Sequence, residues 1–222
     1  MKQKQDVISI VEALKELYPD ALCSLQYDKD YELLFAVRLS AQCTDERVNK
    51  VTPALFQRFP TLESFAEADP AEVAQYIHSC GFFNGTSKDL VNCARMLLSD
   101  YGGKVPSKME DLLRLPGVGR KTANLIQGDI FNTPGVVVAD THCIRMANRI
   151  GFVTDTTDPV QVERALVKVL PPEESNDFCH RCVMHGRVVC TARKALCEVC
   201  CLQDVCRTGK KTIKQETLEE LV

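Results

Sequence analysis

A lysine and an aspartate each stand at the start of a helix-like segment, where their charges could serve catalysis. Lys121 follows the glycine turn of "LRLPGVGRKTAN" (residues 113–124), and Asp140 opens "DTHCIRMANRIG". The positive end of a helix dipole and the neighbouring Arg120 disfavour a further positive charge at Lys121, which favours the free amine as a nucleophile. Such an amine needs a carboxylate as its companion, and Asp140 would stay ionised as a helix N-cap. Taken singly, the two would be a solvated lysine and a helix cap.

The glycine turn itself predicts a phosphate site. Gly117 and Gly119 allow the backbone to approach a ligand closely, and the following helix begins with unpaired N–H groups and a positive dipole end. A P-loop needs glycine where Arg120 stands, and a dinucleotide fingerprint needs a third glycine where Thr122 stands. Two helices joined in this way form a helix-hairpin-helix, which holds a DNA backbone without reading its sequence. The simpler alternative is a Pro-Gly turn in which glycine only caps a helix.

Four of the twelve cysteines are spaced closely enough to share a metal centre. They are Cys190, Cys197, Cys200 and Cys206, separated by six, two and five residues. Because the first residues lack the apolar core of a secretory signal, we expect a reducing, cytosolic location in which thiols bind metal. Spacing alone leaves an iron–sulfur cluster and zinc nearly equal, since the gaps do not fit the compact ferredoxin pattern.

Neighbouring thiols leave two alternatives to this ligand set. Structural zinc usually takes two close pairs, and Cys179 with Cys182 and Cys197 with Cys200 would supply them. However, Cys179 and Cys182 share one face of a helix-like segment with Phe178 and Met184, which favours buried packing. Cys201 could also replace the cysteine before it as a ligand.

The net charge of −3 is not that of a typical nucleic-acid binder, but the charges are unevenly distributed. From Arg187 to Lys214 there are seven cations and two acids. Around the glycine turn, Arg114, Arg120 and Lys121 have no acid among them. These two basic segments suit the phosphates of a nucleic acid, although a run of charge is usually a solvated face.

Short helices separated by proline and glycine account for most of the 222 residues. N-caps are predicted at Asp69, Ser107 and Asp158. Ser107 and Glu110 have the spacing of a capping box, and Gly81 is a predicted helix stop. The strand signal "VVVA" at 136–139 is too short for a sheet, and no apolar run has the length that spans a membrane. The sequence therefore predicts an all-α fold.

Taken together, these segments resemble the endonuclease III family, bifunctional DNA glycosylases of the helix-hairpin-helix superfamily. The turn "LPGVGRKTAN", the downstream "VADTH" and the C-terminal cysteine spacing carry the likeness. It extends to "LSAQCTDERVNK" (residues 39–50) and "HGRVVCTARKALCEVC" (residues 185–200), and it covers nearly the whole chain in the same order. The lysine–aspartate pair is specific in combination with the four-cysteine loop.

The resemblance implies a two-lobed, all-α fold with DNA bound in the cleft between the lobes. One lobe would be a six-helix barrel that contains the helix-hairpin-helix, residues 22–134. The other would be discontinuous and would hold an iron–sulfur cluster, residues 1–21 with 135–222.

The resemblance also implies the ligands and the DNA contacts. The four spaced cysteines would hold a [4Fe–4S] cluster, with Cys200 rather than Cys201 as the third ligand. The cluster would shape a basic loop in which Arg193 and Lys194 lie against DNA. The glycine turn would hold a phosphate through Gly117, Val118, Gly119 and Arg120.

The activity implied by the resemblance is base excision repair of double-stranded DNA that contains damaged pyrimidines or abasic sites. Gln42 and Phe82 match the residues that fill the gap left by the flipped base, although the family commonly has leucine at the second position. The alternative for Phe82 is a core aromatic. Lys121 would displace an oxidised pyrimidine from the sugar C1′ with help from Asp140, and the Schiff base would allow β-elimination. The protein would be a monomer of the bacterial cytosol or nucleoid, without membrane contact.

Three other functions are weighed against this one. The adenine mismatch glycosylases of the same superfamily lack the catalytic lysine and have a further C-terminal domain. A non-catalytic helix-hairpin-helix module would bind DNA without needing Lys121 or Asp140. A small electron-transfer protein would not need the glycine turn. The intact lysine–aspartate pair favours a glycosylase with lyase activity.

Overall fold

The computed structural model describes residues 4–212, and within them every regular element is a helix. The α-helices are α1 (Lys4–Leu17), α2 (Asp30–Ser40), α3 (Asp45–Arg58), α4 (Leu62–Glu67), α5 (Pro70–Tyr76), α6 (Phe83–Tyr101), α7 (Met109–Leu112), α8 (Arg120–Asp129), α9 (Thr141–Ile150), α10 (Pro159–Val167) and α11 (Ser175–Val188). Two short 3₁₀ helices cover Pro172–Glu174 and Cys197–Val199. The predicted all-α fold is confirmed, and "VVVA" forms no strand. Lys214, counted in the basic segment, lies outside the described residues.

The chain divides into two compact units. One is continuous and spans Cys23–Phe131, so we call it the continuous unit. The other joins the chain up to Leu22 with the chain from Asn132 onward, and we call it the split unit. None of the helices within residues 4–212 is both long and apolar enough to cross a bilayer.

Aromatic side chains fill the core of the continuous unit. Phe65 of α4 lies at the centre of this core, with its ring centroid 5.0 Å from that of Phe35 and 5.1 Å from that of Phe59. Helix α2 is buried on almost every side because its sequence, "DYELLFAVRLS", is apolar around the whole helix. Packing of α4 and α5 on α6 and of α2 on α8 fixes the helix that carries Lys121.

Sulfur and charged groups take a larger share of the core of the split unit. Helices α9 and α11 pack together, and Cys143 of α9 lies in thiol contact with Cys179 and Cys182 of α11. The guanidinium of Arg181 is buried and donates to the Glu174 carboxylate at 2.7 Å and to Asp177 at 3.2 Å. These pairs compensate a buried charge that would otherwise be costly.

Most predicted helix starts are confirmed, but the start predicted at Ser107 is wrong. Asp69 and Asp158 accept hydrogen bonds from Ala71 and Val160 backbone N–H groups, at 2.9 and 2.8 Å. Ser107 is not the N-cap, because α7 begins only after Lys108. The Gln127 side-chain amide donates to the Ser107 carbonyl at 2.8 Å.

The predicted stop at Gly81 is also wrong, because α5 already ends at Tyr76. The glycine instead permits a close approach to a neighbouring loop. Met184 was expected on the buried face of α11, but it is 39% exposed. The other members of that face, Phe178, Cys179 and Cys182, are buried as predicted.

Candidate active site

The glycine turn joins α7 to α8 in a tight hairpin, as the sequence predicts. Val118 donates its backbone N–H to the Leu115 carbonyl at 3.1 Å, and its side chain is buried. Gly119 is the N-cap residue of α8, and its carbonyl accepts the first helical hydrogen bond from Ala123 at 2.9 Å. The DNA contact expected of Val118 stays a prediction.

The two glycines of the turn have different roles. Gly117 has a φ of +75°, and a Cβ there would lie 2.5 Å from Nε of Arg38 and 2.8 Å from Oδ2 of Asp89. Arg38 and Asp89 form a two-pronged ion pair, with Nε and Nη2 donating to Oδ2 at 3.0 and 2.7 Å. Gly119 has ordinary extended φ and has nothing within 4 Å of its Cβ position. Gly117 thus serves the fold, and Gly119 leaves room for a ligand.

Lys121 is the second residue of α8 and is exposed, as is Arg120 before it. The next two residues, Thr122 and Ala123, are buried against the continuous unit and orient the first turn of the helix. The first turn of any α-helix leaves N–H groups without intrahelical partners, and its dipole attracts an anion. The structure therefore places a primary amine beside a potential anion-binding helix end.

Gln42 and Phe82 lie on two loops that touch each other. Gln42 is exposed in the turn between α2 and α3, and its carbonyl oxygen is 3.1 Å from the Cβ position of Gly81. Phe82 is 74% exposed and has a left-handed backbone, with a φ of 54°. The core-aromatic alternative for Phe82 is wrong, because Phe83 is the residue that packs inward, with its ring 4.8 Å from that of His78.

Asp140 is the N-cap of α9, as the sequence predicts. Its Oδ1 accepts the Cys143 backbone N–H at 2.7 Å, and its side chain is half-buried. His142 is the second residue of this helix. Burial lowers the pKa of His142, the cations Arg145 and Arg187 lower it further, and Asp140 opposes them. The neutral form of His142 is therefore favoured.

The four spaced cysteines line one cavity of about 290 Å³, part of which is open to solvent. They are Cys190, Cys197, Cys200 and Cys206. Arg149 donates to the Cys190 sulfur at 3.3 Å, and the Leu202 N–H donates to the Cys200 sulfur at 3.4 Å. Nε2 of His185 lies 3.3 Å from the Cys200 sulfur. The exposed Cys201 is not among the residues that line the cavity.

The chemistry of this donor set, four thiols that line one cavity, fits an iron–sulfur cluster. Within the described part of the chain, no three His, Cys, Asp or Glu side chains are placed to hold one metal ion. Cys179 and Cys182 do not line the cavity, so the paired-zinc alternative lacks half of its ligands. In a [4Fe–4S] cluster each thiolate binds a separate iron, and N–H groups commonly donate to the sulfurs.

Two arginines of α9, which sequence reasoning missed, hold the loop that carries Arg193 and Lys194. Arg149 donates to the carbonyls of residues 191 and 192 at 2.7 and 3.3 Å. Arg145 donates to the carbonyls of residues 190 and 186 at 3.0 and 2.9 Å. Arg193 and Lys194 are exposed on the loop, as predicted. Arg145 and Arg149 have i,i+4 spacing, which places them on one face of α9, and this spacing was the signal in the sequence that could have identified them.

Comparison with known proteins gives a consistent family. A family model described as "HhH-GPD superfamily base excision DNA repair protein" matches residues 35–172. The chain is 47% identical to endonuclease III of Synechocystis sp. (strain PCC 6803) over 208 residues, 94% of each chain. It is 38% identical to endonuclease III of Escherichia coli (strain K12) over 204 residues, 92% of this chain and 96% of the other.

Solved structures agree with these sequence matches. The fold superposes on a trapped covalent intermediate of endonuclease III with DNA at a TM-score of 0.88 and 38% identity, covering 96% of this chain and all of the other. A non-covalent endonuclease III–DNA complex gives the same TM-score at 37% identity. A thermostable thymine-DNA glycosylase shares the fold at a TM-score of 0.78. The chain belongs to the endonuclease III family, within the HhH-GPD superfamily of base excision DNA repair proteins.

Proposed function

We propose that this DNA glycosylase and AP lyase uses Lys121 as its nucleophile and Asp140 as the assisting carboxylate on oxidised pyrimidines in duplex DNA. The observation that carries the proposal is the position of Lys121: exposed, in the first turn of α8, directly behind a glycine turn. A phosphate bound at that helix end would bring the adjoining sugar to the amine. The similarity to a trapped covalent endonuclease III–DNA intermediate supports a covalent route.

The base must leave the helical stack before the amine can reach its sugar. Phe82 is suited to take the vacated space, since an exposed ring held on a left-handed residue is already extended from the surface. Gln42, on the loop that touches Gly81, would pair with the orphaned partner base or replace it in the stack. The two residues would enter the DNA stack together because their loops are in contact.

The chemical steps divide between the two charged residues. The unprotonated Nζ of Lys121 attacks C1′ and displaces the base, and Asp140 stabilises the positive charge that develops on the sugar. Ring opening leaves an imine between Lys121 and C1′, which acidifies the hydrogen on C2′. Loss of that proton expels the 3′ phosphate by β-elimination, and water then releases the lysine. Asp140 is held in place by the Cys143 N–H and can relay the protons.

Binding of undamaged backbone falls to the basic residues and the helix end. Gly119 and Arg120 would hold one phosphate, and the loop with Arg193 and Lys194 would hold another. Because these contacts release counterions, the affinity should fall steeply with salt despite the net charge of −3.

We assign the cofactor to the cysteine cavity. Cys190, Cys197, Cys200 and Cys206 would hold a [4Fe–4S] cluster, with Cys201 outside the ligand set. When bound, the cluster supplies cross-linking of the C-terminal loop rather than a reaction step. Arg145 and Arg149 would complete the support of that loop. We further propose that the protein acts as a monomer in the bacterial cytosol.

Borohydride trapping on a duplex with one oxidised thymine tests the proposal. We expect a covalent protein–DNA adduct with the native chain, none with Lys121→Ala, and an undiminished yield with Lys104→Ala, an exposed lysine of the same unit. Release of free base without any adduct would indicate a water-based glycosylase, in which Lys121 only contacts phosphate. Binding without base release or adduct would leave a non-catalytic DNA-binding module, and release of adenine from a mismatch would indicate the adenine-specific alternative.

A further inference from the structure

The loops that carry Gln42 and Phe82 are joined by a pair of thiols as well as by backbone contact. Cys43 follows Gln42, and Cys80 precedes Gly81. At Gly81, an ideal Cβ would lie 3.3 Å from the Cβ of Gln42, which is closer than most real Cβ contacts. Beside these two residues, Cys80 and Cys43 are in side-chain hydrogen-bond contact.

The two thiols differ in access. Cys43 is half-buried, whereas Cys80 is buried. Burial and the hydrogen bond to Cys43 raise the pKa of Cys80 to about 12, with Arg47 of α3 acting in the opposite direction. Cys80 therefore keeps its proton and donates it toward the Cys43 sulfur. Cys43 is the sulfur that an oxidant from solvent can reach.

The other thiols of the protein lack this combination. Cys143, Cys179 and Cys182 contact one another but are fully enclosed, so a solvent oxidant cannot reach them. Cys23 is half-buried, but its thiol bonds to the Asp129 carboxylate rather than to sulfur. Apart from the cysteine cavity and the adjoining Cys201, the loop pair is the place where an accessible thiol meets a second one.

We propose that Cys43 and Cys80 form a reversible disulfide that locks the Gln42 and Phe82 loops together and switches off base extrusion. The modification is a dithiol–disulfide site, and its oxidant is a hydroperoxide. The inhibitory effect rests on the proposed function of Gln42 and Phe82, whereas formation of the bond does not.

The oxidation balances in two steps. The Cys43 thiolate attacks one oxygen of the hydroperoxide, forming a sulfenic acid and releasing water or an alcohol once that leaving oxygen is protonated. The Cys80 sulfur then attacks the sulfenic sulfur, and the sulfenic oxygen leaves as water with the proton from Cys80. Two thiols are oxidised by two electrons, and the peroxide is reduced. A dithiol such as dithiothreitol reverses the change by exchange.

The bond would displace the loops because a disulfide is shorter than a thiol hydrogen bond. The two sulfurs must approach to about 2.05 Å. Gly81 is already packed tightly on Gln42, so the remaining freedom lies in the backbone around Phe82. Since a shift of about 1 Å at a positioning residue can cost roughly a hundredfold in rate, we expect a loss of at least about tenfold.

Trypsin offers a clean assay for the bond. Cleavage after Arg38 and Arg47 releases residues 39–47, in which Cys43 is the single cysteine. Cleavage after Arg58 and Lys88 releases residues 59–88, in which Cys80 is the single cysteine. The holoenzyme would be treated with limiting hydrogen peroxide, blocked with N-ethylmaleimide, digested without reductant and analysed by mass spectrometry.

We expect the linked peptide at peroxide levels that leave the visible absorbance of the iron–sulfur cluster unchanged. Base release should fall by at least about tenfold and recover with dithiothreitol. Cys43→Ser and, separately, Cys80→Ala should resist this loss, and Cys23→Ser should behave as the native chain.

Two results would overturn the proposal at different points. If oxidation leaves peptides 39–47 and 59–88 unlinked, the site does not exist. If they link and the oxidised protein releases bases with the same rate constant as the dithiol form, the bond is not a switch. A protein that fails to release bases even when reduced contradicts the proposed function instead, whatever the peptides show.

Discussion

The continuous and split units are stabilised by different interiors. The core of the continuous unit is a cluster of aromatic rings around Phe65. In the split unit, three thiols, the buried Arg181 and the buried His185 occupy comparable positions. Apolar burial is non-directional, whereas a buried cation or imidazole is stable only while its partners stay in place. The continuous unit should therefore hold its shape unaided, and the split unit should depend on specific contacts.

The difference between the two interiors matches the functional features that each unit carries on its surface. The continuous unit displays backbone features: a glycine turn, a helix end and a left-handed Phe82. The split unit displays a loop whose carbonyls are held by Arg145 and Arg149 and whose thiols line a cavity. A rigid apolar core can position a turn by itself. A loop whose regular structure is one short 3₁₀ helix needs side-chain donors and, as we propose, a cluster.

Removal of the cluster should produce the largest difference in stability between the two units. Structural metal sites contribute about 10 kcal/mol or more to folding in small domains, so amides of α11 should lose at least about a thousandfold of their exchange protection. Amides of α2 and α6 should change little, since their core contains no proposed ligand. Hydrogen exchange of the iron-depleted protein measures both. Equal loss of protection in the two units would contradict the comparison.

Asp140→Asn should separate the catalytic from the structural use of a helix cap. Asparagine caps a helix about as well as aspartate, so the melting temperature should change little. Base release should nevertheless fall about 10²- to 10⁴-fold, because the negative charge is lost. Asp158→Asn is the matched control, since Asp158 caps α10 in the same unit with a bond of 2.8 Å to Val160. Comparable activity in the two variants would reduce Asp140 to a cap.

The two glycines of the turn offer the same separation in the continuous unit. Gly117→Ala should destabilise the protein by about 3 kcal/mol, because the new methyl group has an unfavourable φ and collides with the Arg38–Asp89 ion pair. Gly119→Ala should change stability by less than about 0.5 kcal/mol but weaken DNA binding several-fold, since its open side is the proposed phosphate approach. Denaturant unfolding measures the stability of each variant, and fluorescence anisotropy measures its DNA binding. If Gly119→Ala were the less stable variant and Gly117→Ala the weaker binder, the roles of the two glycines would be exchanged.

Local sequence signals predicted the features that depend on neighbours in the chain. Asp69, Asp140 and Asp158 cap helices because a short acceptor lies two or three residues before an unpaired N–H. The cap predicted at Ser107 is wrong because α7 begins one residue later, after Lys108, and a distant side chain, Gln127, donates to the Ser107 carbonyl. Gly117 was correctly placed in the turn, but the reason for it includes an ion pair between residues 51 positions apart. Such contacts follow from the packing of helices, which periodicity does not specify.

Substitution of Phe82 should give the smallest change, and its effects on stability and on base release should have opposite signs. Its left-handed backbone costs a non-glycine residue about 1 kcal/mol, and its exposed ring recovers little of that by packing. Phe82→Gly should therefore stabilise the protein by up to about 1 kcal/mol, less the greater entropy of glycine in the unfolded chain. The same change should slow base release, because the vacated space in the stack is left unfilled. Phe82→Asn is the control, since asparagine tolerates this backbone and also lacks the ring. Unchanged base release in both variants would mean that Phe82 is not the wedge, and a stability loss in both would mean that its ring packs after all.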